Sequence, residues 1–194
     1  SPTSEDIAEL HALLRACGME QLLSASFRVL VNPKFCDELP MRVWPAARYE
    51  QLAGQLLETV PDARIILTGL PDEQERAALF CRRFAPGQVY DLTGRLTLRQ
   101  LITLCSLVDA MVTSDSGPAH FASLTDVPIL VLFGPESPRL FAPASPHVTV
   151  FYAGLACSPC FSAWNHRTSS CGDNRCMKAI APDAVLERLL EIYR

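Results

Sequence analysis

Strand-like and helix-like segments alternate along this chain, and the alternation constrains its fold more than any single residue does. Residues 27–31, 64–67, 89–92, 110–113, 129–133 and 148–152 are short apolar runs with strand character. Helical patterns lie between and around them. Residues 3–17 open with Thr3 and Asp6 at capping-box spacing, carry Ile7, Leu10, Leu14 and Cys17 on one face, and stop at Gly18. Pro45 opens a helix with Tyr49, Leu52, Leu56 and Val60 on one side. Residues 72–83 form the next. Thr97 then caps one carrying Leu98, Leu101, Ile102 and Cys105. The last starts at Pro182 and carries Val185, Leu186, Leu189, Leu190 and Tyr193. Strands that alternate with helices pair in parallel, so the predicted fold class is α/β: a Rossmann-like parallel sheet with helices on both faces, plus a small Cys-rich loop module.

Sheets of this kind bind ligands beyond the carboxyl ends of their strands. The residues following each strand are small and polar: Asn32-Pro33-Lys34, Thr68-Gly69-Leu70-Pro71, Thr93-Gly94-Arg95, Ser114-Asp115-Ser116-Gly117 and Gly134-Pro135-Glu136. The most pointed of them is Thr113-Ser114-Asp115-Ser116-Gly117-Pro118-Ala119-His120, which passes from strand to helix. Backbone N–H groups at such a turn favour an anion, and Gly117 allows close approach. Asp115 would repel phosphate and suits a sugar hydroxyl, with an N-cap for the following helix as its alternative role. The segment therefore reads as a site for a phosphate joined to a hydroxyl-rich group.

Composition narrows the partners. The chain has 194 residues, 49% hydrophobic and 20% charged, as expected of one folded domain with a small appendage. A net charge of −4 with no long basic run disfavours nucleic acid. The apolar run 127–133 is too short to cross a bilayer, so no transmembrane segment is predicted. The chain begins Ser1-Pro2-Thr3 without a methionine or a signal-peptide pattern, and it is expected to be a piece of a longer protein. A dinucleotide dehydrogenase would suit the sheet, but the G-x-G-x-x-G fingerprint and the G-x-x-x-x-G-K-[ST] phosphate loop are both missing. Ser116 and His120 hint at a hydrolase, yet Asp115-Ser116-Gly117 lacks the first glycine of a nucleophile elbow.

An ordered set of motifs carries a resemblance. Val31-Asn32-Pro33, Leu39-Pro40-Met41-Arg42-Val43-Trp44-Pro45, Ile66-Leu67-Thr68-Gly69 and Leu92-Thr93-Gly94 come first. Ser114 through Ala122, Leu132-Phe133-Gly134-Pro135 and Cys157-Ser158-Pro159-Cys160 with Cys176-Met177 follow. Over roughly residues 27 to 190 the chain resembles the carboxyl-terminal half of glycosyltransferase family 9, the lipopolysaccharide heptosyltransferases. The resemblance implies the donor-binding half of a GT-B fold and an inverting, metal-independent sugar transfer. It also implies a nucleotide-diphosphate sugar as partner, with ADP-heptose the family's best-known donor. The acceptor site and catalytic base would lie in an amino-terminal domain, so no catalytic base is expected here. The implied location is cytoplasmic, up to peripheral attachment at the inner membrane.

Breaking a sugar–diphosphate bond leaves negative charge that needs cationic and N–H donors. The expected donor-binding residues are Asn32, Lys34, Arg42, Thr68, Gly69, Gly94, Leu96, Asp115, Ser116, Gly117 and His120. Arg42, near the Trp-Pro pair, and His120 are expected to stabilise the leaving group. Lys34 is the second cationic candidate. Leu96 is expected in the base pocket by analogy with the family.

The cysteines fall into two sets. Cys17, Cys81 and Cys105 read as small buried apolar residues, and Cys36 is isolated. Cys157-x2-Cys160-x10-Cys171-x4-Cys176 instead has the spacing of a tetrahedral site for structural zinc or iron. Two disulfides or four reduced thiols are the alternatives, and His166 is a lesser ligand candidate. The division is residues 1–152 with 181–194 as the sugar-nucleotide domain and 153–180 as a Cys-rich insertion. The competing function is a non-catalytic, metal-stapled interaction module on the same core.

Overall fold

The computed structural model describes residues 2–34, 40–166 and 168–194. Cys36 and Leu39 therefore lie outside the described residues. Six parallel strands form one sheet: β1 (Phe27–Asn32), β2 (Ala63–Leu67), β3 (Val89–Asp91), β4 (Ala110–Ser114), β5 (Ile129–Phe133) and β6 (Val148–Tyr152). Their order is β3-β2-β1-β4-β5-β6. The chain winds outward from β1 to β3, returns beside β1 as β4, and then winds the other way. That reversal leaves a crevice at the carboxyl ends of β1 and β4.

Eight α-helices accompany the sheet among the described residues: α1 (Ser4–Ala16), α2 (Ala46–Thr59), α3 (Gln74–Cys81), α4 (Leu98–Cys105), α5 (Gly117–Ala122), α6 (Pro138–Phe141), α7 (Arg175–Lys178) and α8 (Pro182–Tyr193). Two caps read from sequence are present. Thr3 accepts from the Asp6 N–H at 3.2 Å, and Thr97 accepts from the Gln100 N–H at 3.2 Å.

Alternation along each strand divides the core into two layers. Val29, Val31, Ile65, Leu67, Val112, Leu130 and Leu132 face α2, α3, α7 and α8. Leu30, Ile66, Met111, Ile129, Val131 and Phe133 face α1, α4 and α5. The register places Leu30 beside both Ile66 and Met111, so one layer runs unbroken across the three central strands. Trp44 is fully buried in the first layer. Its indole N–H donates to the Ile180 carbonyl at 3.1 Å, and it meets Tyr49 edge-on at 4.7 Å.

Three local expectations are corrected. The helix expected over 72–83 is split into a 3-10 turn, Pro71–Glu73, and α3, because the Glu73 carboxylate turns back to accept the Leu70 N–H at 2.8 Å. Asp115, the alternative cap for α5, is replaced there by Ser116. The backbone N–H of Asp115 is taken by Leu132 O at 3.1 Å, which keeps that residue in the strand-end turn. Of the three cysteines expected inside, Cys105 is fully buried, whereas Cys17 and Cys81 are half-buried. No helix among the described residues is long and apolar enough to cross a membrane.

Candidate functional site

A cavity of about 390 Å³ opens at the carboxyl ends of β1 to β4. Its lining comes from the turns that follow these four strands, so the sheet's register sets the spacing of its walls. Asn32 ends β1 and is buried. Its side-chain amide donates to the Thr68 carbonyl at 3.0 Å and to the Thr68 hydroxyl oxygen at 3.2 Å. This ties the ends of β1 and β2 together. Lys34 also lines the cavity, with φ 46, a left-handed backbone uncommon for a residue with a side chain.

The second wall rests on two glycines. The Gly94 N–H donates to Gly69 O at 2.9 Å. A Cβ at Gly69 would lie 2.7 Å from Glu73 Oε2, and one at Gly94, whose φ is +70, would lie 2.8 Å from the Pro71 backbone. Neither position admits a side chain without displacement of its neighbours. This close packing lets the chain turn through Leu96 and Thr97 into α4, which brings Leu98 and Leu101 onto the cavity. The opposite wall is Ser116, Gly117, Pro118 and Phe121 from the start of α5. The Ser116 hydroxyl donates to Ser114 O at 3.1 Å and lies 3.2 Å from the Thr113 hydroxyl, which stiffens the turn.

Of the expected site residues, the cavity brings together Asn32, Lys34, Thr68, Gly69, Leu96, Ser116 and Gly117. Gly94 supports the wall without lining it. Arg42 and Asp115 do not line it either. Their side chains are 11% and 8% exposed, and Arg42 Nη2 lies 3.1 Å from Asp115 Oδ2 while also donating to the Asp115 backbone carbonyl. His120, expected to share a side with Ser116, is exposed and outside the lining; the helix begins at Gly117, so Phe121, one turn on, takes the inward position.

Sequence reasoning missed Glu73, Leu70, Leu98, Leu101 and Phe121 as site residues. Glu73 is 5% exposed and adds a carboxylate to the wall. A glutamate opening a helix just after a strand-end glycine is the available signal, since such a side chain can fold back onto the turn.

The clustered cysteines stand beside the next strand end. The Cys160 and Phe161 N–H groups donate to Pro135 O at 2.8 and 2.9 Å, and a Cβ on Gly134 would lie 3.2 Å from Cys176 Sγ. Burial pushes the Cys176 thiol pKa up, and the nearby Cys160 and Cys157 add to that shift. Cys171 donates its thiol to Asp173 O at 2.9 Å. The seven described cysteines are free thiols. Among the described residues no group of three or more His, Cys, Asp or Glu side chains is arranged to hold a metal ion, His166 included.

The chain is 33% identical over 111 residues to lipopolysaccharide heptosyltransferase 2 of Salmonella typhimurium, covering 55% of this chain and 31% of that protein. It is 38% identical over 120 residues to lipopolysaccharide core heptosyltransferase OpsX of Haemophilus influenzae, covering 59% and 32%. The solved structure of Escherichia coli ADP-heptose lps heptosyltransferase II superposes with a TM-score of 0.77 at 22% identity, covering 100% of this chain and 52% of that one. The matched stretches thus span about a third of the curated relatives, and the fold about half of that solved chain. A sequence model described as glycosyltransferase family 9 (heptosyltransferase) matches residues 28–169, and the chain belongs to that family.

Proposed function

We propose that this chain is the nucleotide-sugar-binding half of an inverting, metal-independent glycosyltransferase, with the acceptor site and base supplied by an amino-terminal domain. The observation that carries the reading is the cavity at the β1–β4 crevice, whose lining combines two chemistries. Leu70, Leu92, Leu96, Leu98, Leu101 and Phe121 give it an apolar slot suited to a flat base. Lys34, Asn32, Thr68 and Ser116 give it a cationic and hydrogen-bonding side suited to phosphate and hydroxyl groups. Glu73 adds an acceptor for a hydroxyl or amino group. ADP-heptose is the donor class we favour, because the relatives named above are heptosyltransferases and one of them is an ADP-heptose lps heptosyltransferase. As the bond to the sugar breaks, charge develops on the diphosphate beside Lys34, where a cation lowers the barrier.

Calorimetric titration with ADP, GDP and UDP tests the reading. One of them should bind with one-to-one stoichiometry. Leu96→Glu, which puts an unpaired charge into the apolar slot, should weaken that binding at least tenfold. Failure of all three nucleotides to bind would sink the donor-site reading.

Zinc or iron at Cys157, Cys160, Cys171 and Cys176 also stands as a proposal. Sulfur spacing and the closeness of Cys157 and Cys160 to Cys176 support it, while the side-chain placement does not form a ligand group. The ion would brace the 153–180 insertion, and no step of sugar transfer passes through it.

A further inference from the structure

We propose that the cysteine-bearing insertion docks this chain on an anionic phospholipid surface, with the Trp164 indole entering the headgroup layer and Arg139 and Arg175 facing the lipid phosphates. The inference does not depend on the donor-site reading. Trp164 is 93% exposed, the most of any large apolar side chain among the described residues, whereas the other tryptophan, Trp44, is fully buried. An aromatic ring left in water forgoes a large gain from burial, and exposed apolar groups rimmed by polar ones mark surfaces that meet a partner.

Local structure holds the indole out. Trp164 is the middle residue of a 3-10 turn, Ala163–Asn165. The Ser162 N–H donates to Asn165 Oδ1 at 2.9 Å, and the Asn165 N–H donates to the Ser162 hydroxyl oxygen at 3.3 Å. The Asn165 side-chain amide also donates to Cys160 O at 2.8 Å, so the turn closes on itself. Phe161 is buried and its N–H is fixed to Pro135 O, which roots the turn beside the end of β5. Two other elements are rooted at the same strand end. α6 begins three residues after Pro135 and carries Arg139 and Leu140, both exposed. α7 sets Cys176 and Met177 against Gly134 and leaves Arg175 exposed.

Charge selects the partner. From residue 137 to residue 182 the sequence holds Arg139, Arg167, Arg175 and Lys178 but a single acidic residue, Asp173. Asp173 is paired with Lys178. The chain as a whole carries −4, so this stretch is a basic region in an acidic molecule. Two large apolar side chains on separate turns are too few for the core of a protein–protein interface. A bilayer surface needs only a tryptophan at headgroup level and a few cations drawn to anionic lipid. No helix among the described residues is long and apolar enough to cross the bilayer, so these helices meet it only at its surface.

Vesicles test the proposal. The 194-residue chain is sedimented with vesicles of phosphatidylcholine alone, or with phosphatidylglycerol added, at low and high salt, while tryptophan emission is followed. Partitioning onto anionic vesicles should be at least about tenfold stronger than onto neutral ones and should weaken at high salt. Emission should shift to the blue, and because Trp44 is already buried the shift reports Trp164. Trp164→Ala should abolish the shift and weaken partitioning. Arg139→Gln combined with Arg175→Gln should flatten the salt dependence. All three positions are exposed, so an unchanged thermal midpoint should accompany these losses. Equal partitioning onto neutral and anionic vesicles, an emission shift that survives Trp164→Ala, or an unaltered salt dependence in the double variant overturns the proposal. Displacement from vesicles by free glycerol phosphate also overturns it, because that result reveals a discrete phosphate site rather than a docking surface.

Discussion

The cavity over β1 to β4 and the thiol-bearing stretch between β6 and α8 share one edge of the sheet, yet they are held in different ways. Cavity walls are set by strand register: Asn32 and Thr68 end adjacent strands, and their contact follows from the pairing of Val31 with Leu67. Cys157, Cys160 and Cys171 hang on loops, while Cys176 sits on α7. Cys160 is tied to Pro135 and to the Asn165 side chain, and Cys171 to its own neighbour Asp173. Buried side chains join the two regions at few points. Trp44 is one, reaching Ile180 from the connection that carries Arg42. Cys176 and Met177 are another, packed in the core against Gly134. A site built on strand ends inherits the precision of the sheet, whereas a site built on loops depends on whatever staples them.

The sharpest way to break this contrast is Trp44→Ala. It removes a fully buried indole, its hydrogen bond and its ring contact with Tyr49, and should cost about 3–5 kcal/mol. Chemical unfolding would measure the loss. A loss below about 1 kcal/mol would mean that the two regions are not joined through this side chain.

Thiol reactivity should come next. Cys157 is exposed, while burial pushes the Cys105 and Cys81 thiols up to about 12. The thiolate is the reactive form, so alkylation near pH 8 should label Cys157 quickly and Cys105 slowly. If the four clustered cysteines hold zinc or iron, elemental analysis should find close to one ion per chain, and Cys157 should become reactive only after chelation. Immediate labelling of metal-free protein would leave four reduced thiols.

The smallest effect concerns the cavity's outer wall alone. Arg99, on the helix that carries Leu98 and Leu101, grips Asp6 with two bonds of 2.7 and 2.6 Å. Arg99 and Thr3 hold the Asp6 carboxyl well below its ordinary value of 3.8. A depressed folded-state pKa gives stability that is present above the unfolded value and lost as pH falls below it. Asp6→Asn should therefore lower the thermal midpoint modestly at pH 7 and match the parent protein in strong acid. An equal deficit at both pH values would assign the loss to packing rather than charge.

Much of the scaffold is legible in the sequence, because local chemistry decides it. Thr3 with Asp6 and Thr97 with Gln100 cap their helices through side chains three residues away, a range that spacing alone reveals. Strand runs such as 129–133 are apolar on both sides because both faces are covered, and that too is visible residue by residue. Half of the cavity wall follows once strand ends are known, as Asn32, Thr68, Gly69 and Ser116 show.

Only the tertiary structure decides the rest. Arg42 and Lys34 are eight residues apart with similar charge, and nothing local says which one turns toward Asp115 and which toward the cavity. That outcome depends on a partner 73 residues away in sequence, brought close by parallel pairing of β1 with β4. Phe121 rather than His120 faces inward because α5 starts at Gly117, a boundary set by how Ser116 packs on Thr113. Hydrophobic pattern and capping act over a few residues and so can be read along the chain, whereas the direction of a charged side chain is settled by where long-range pairing leaves its counter-charge.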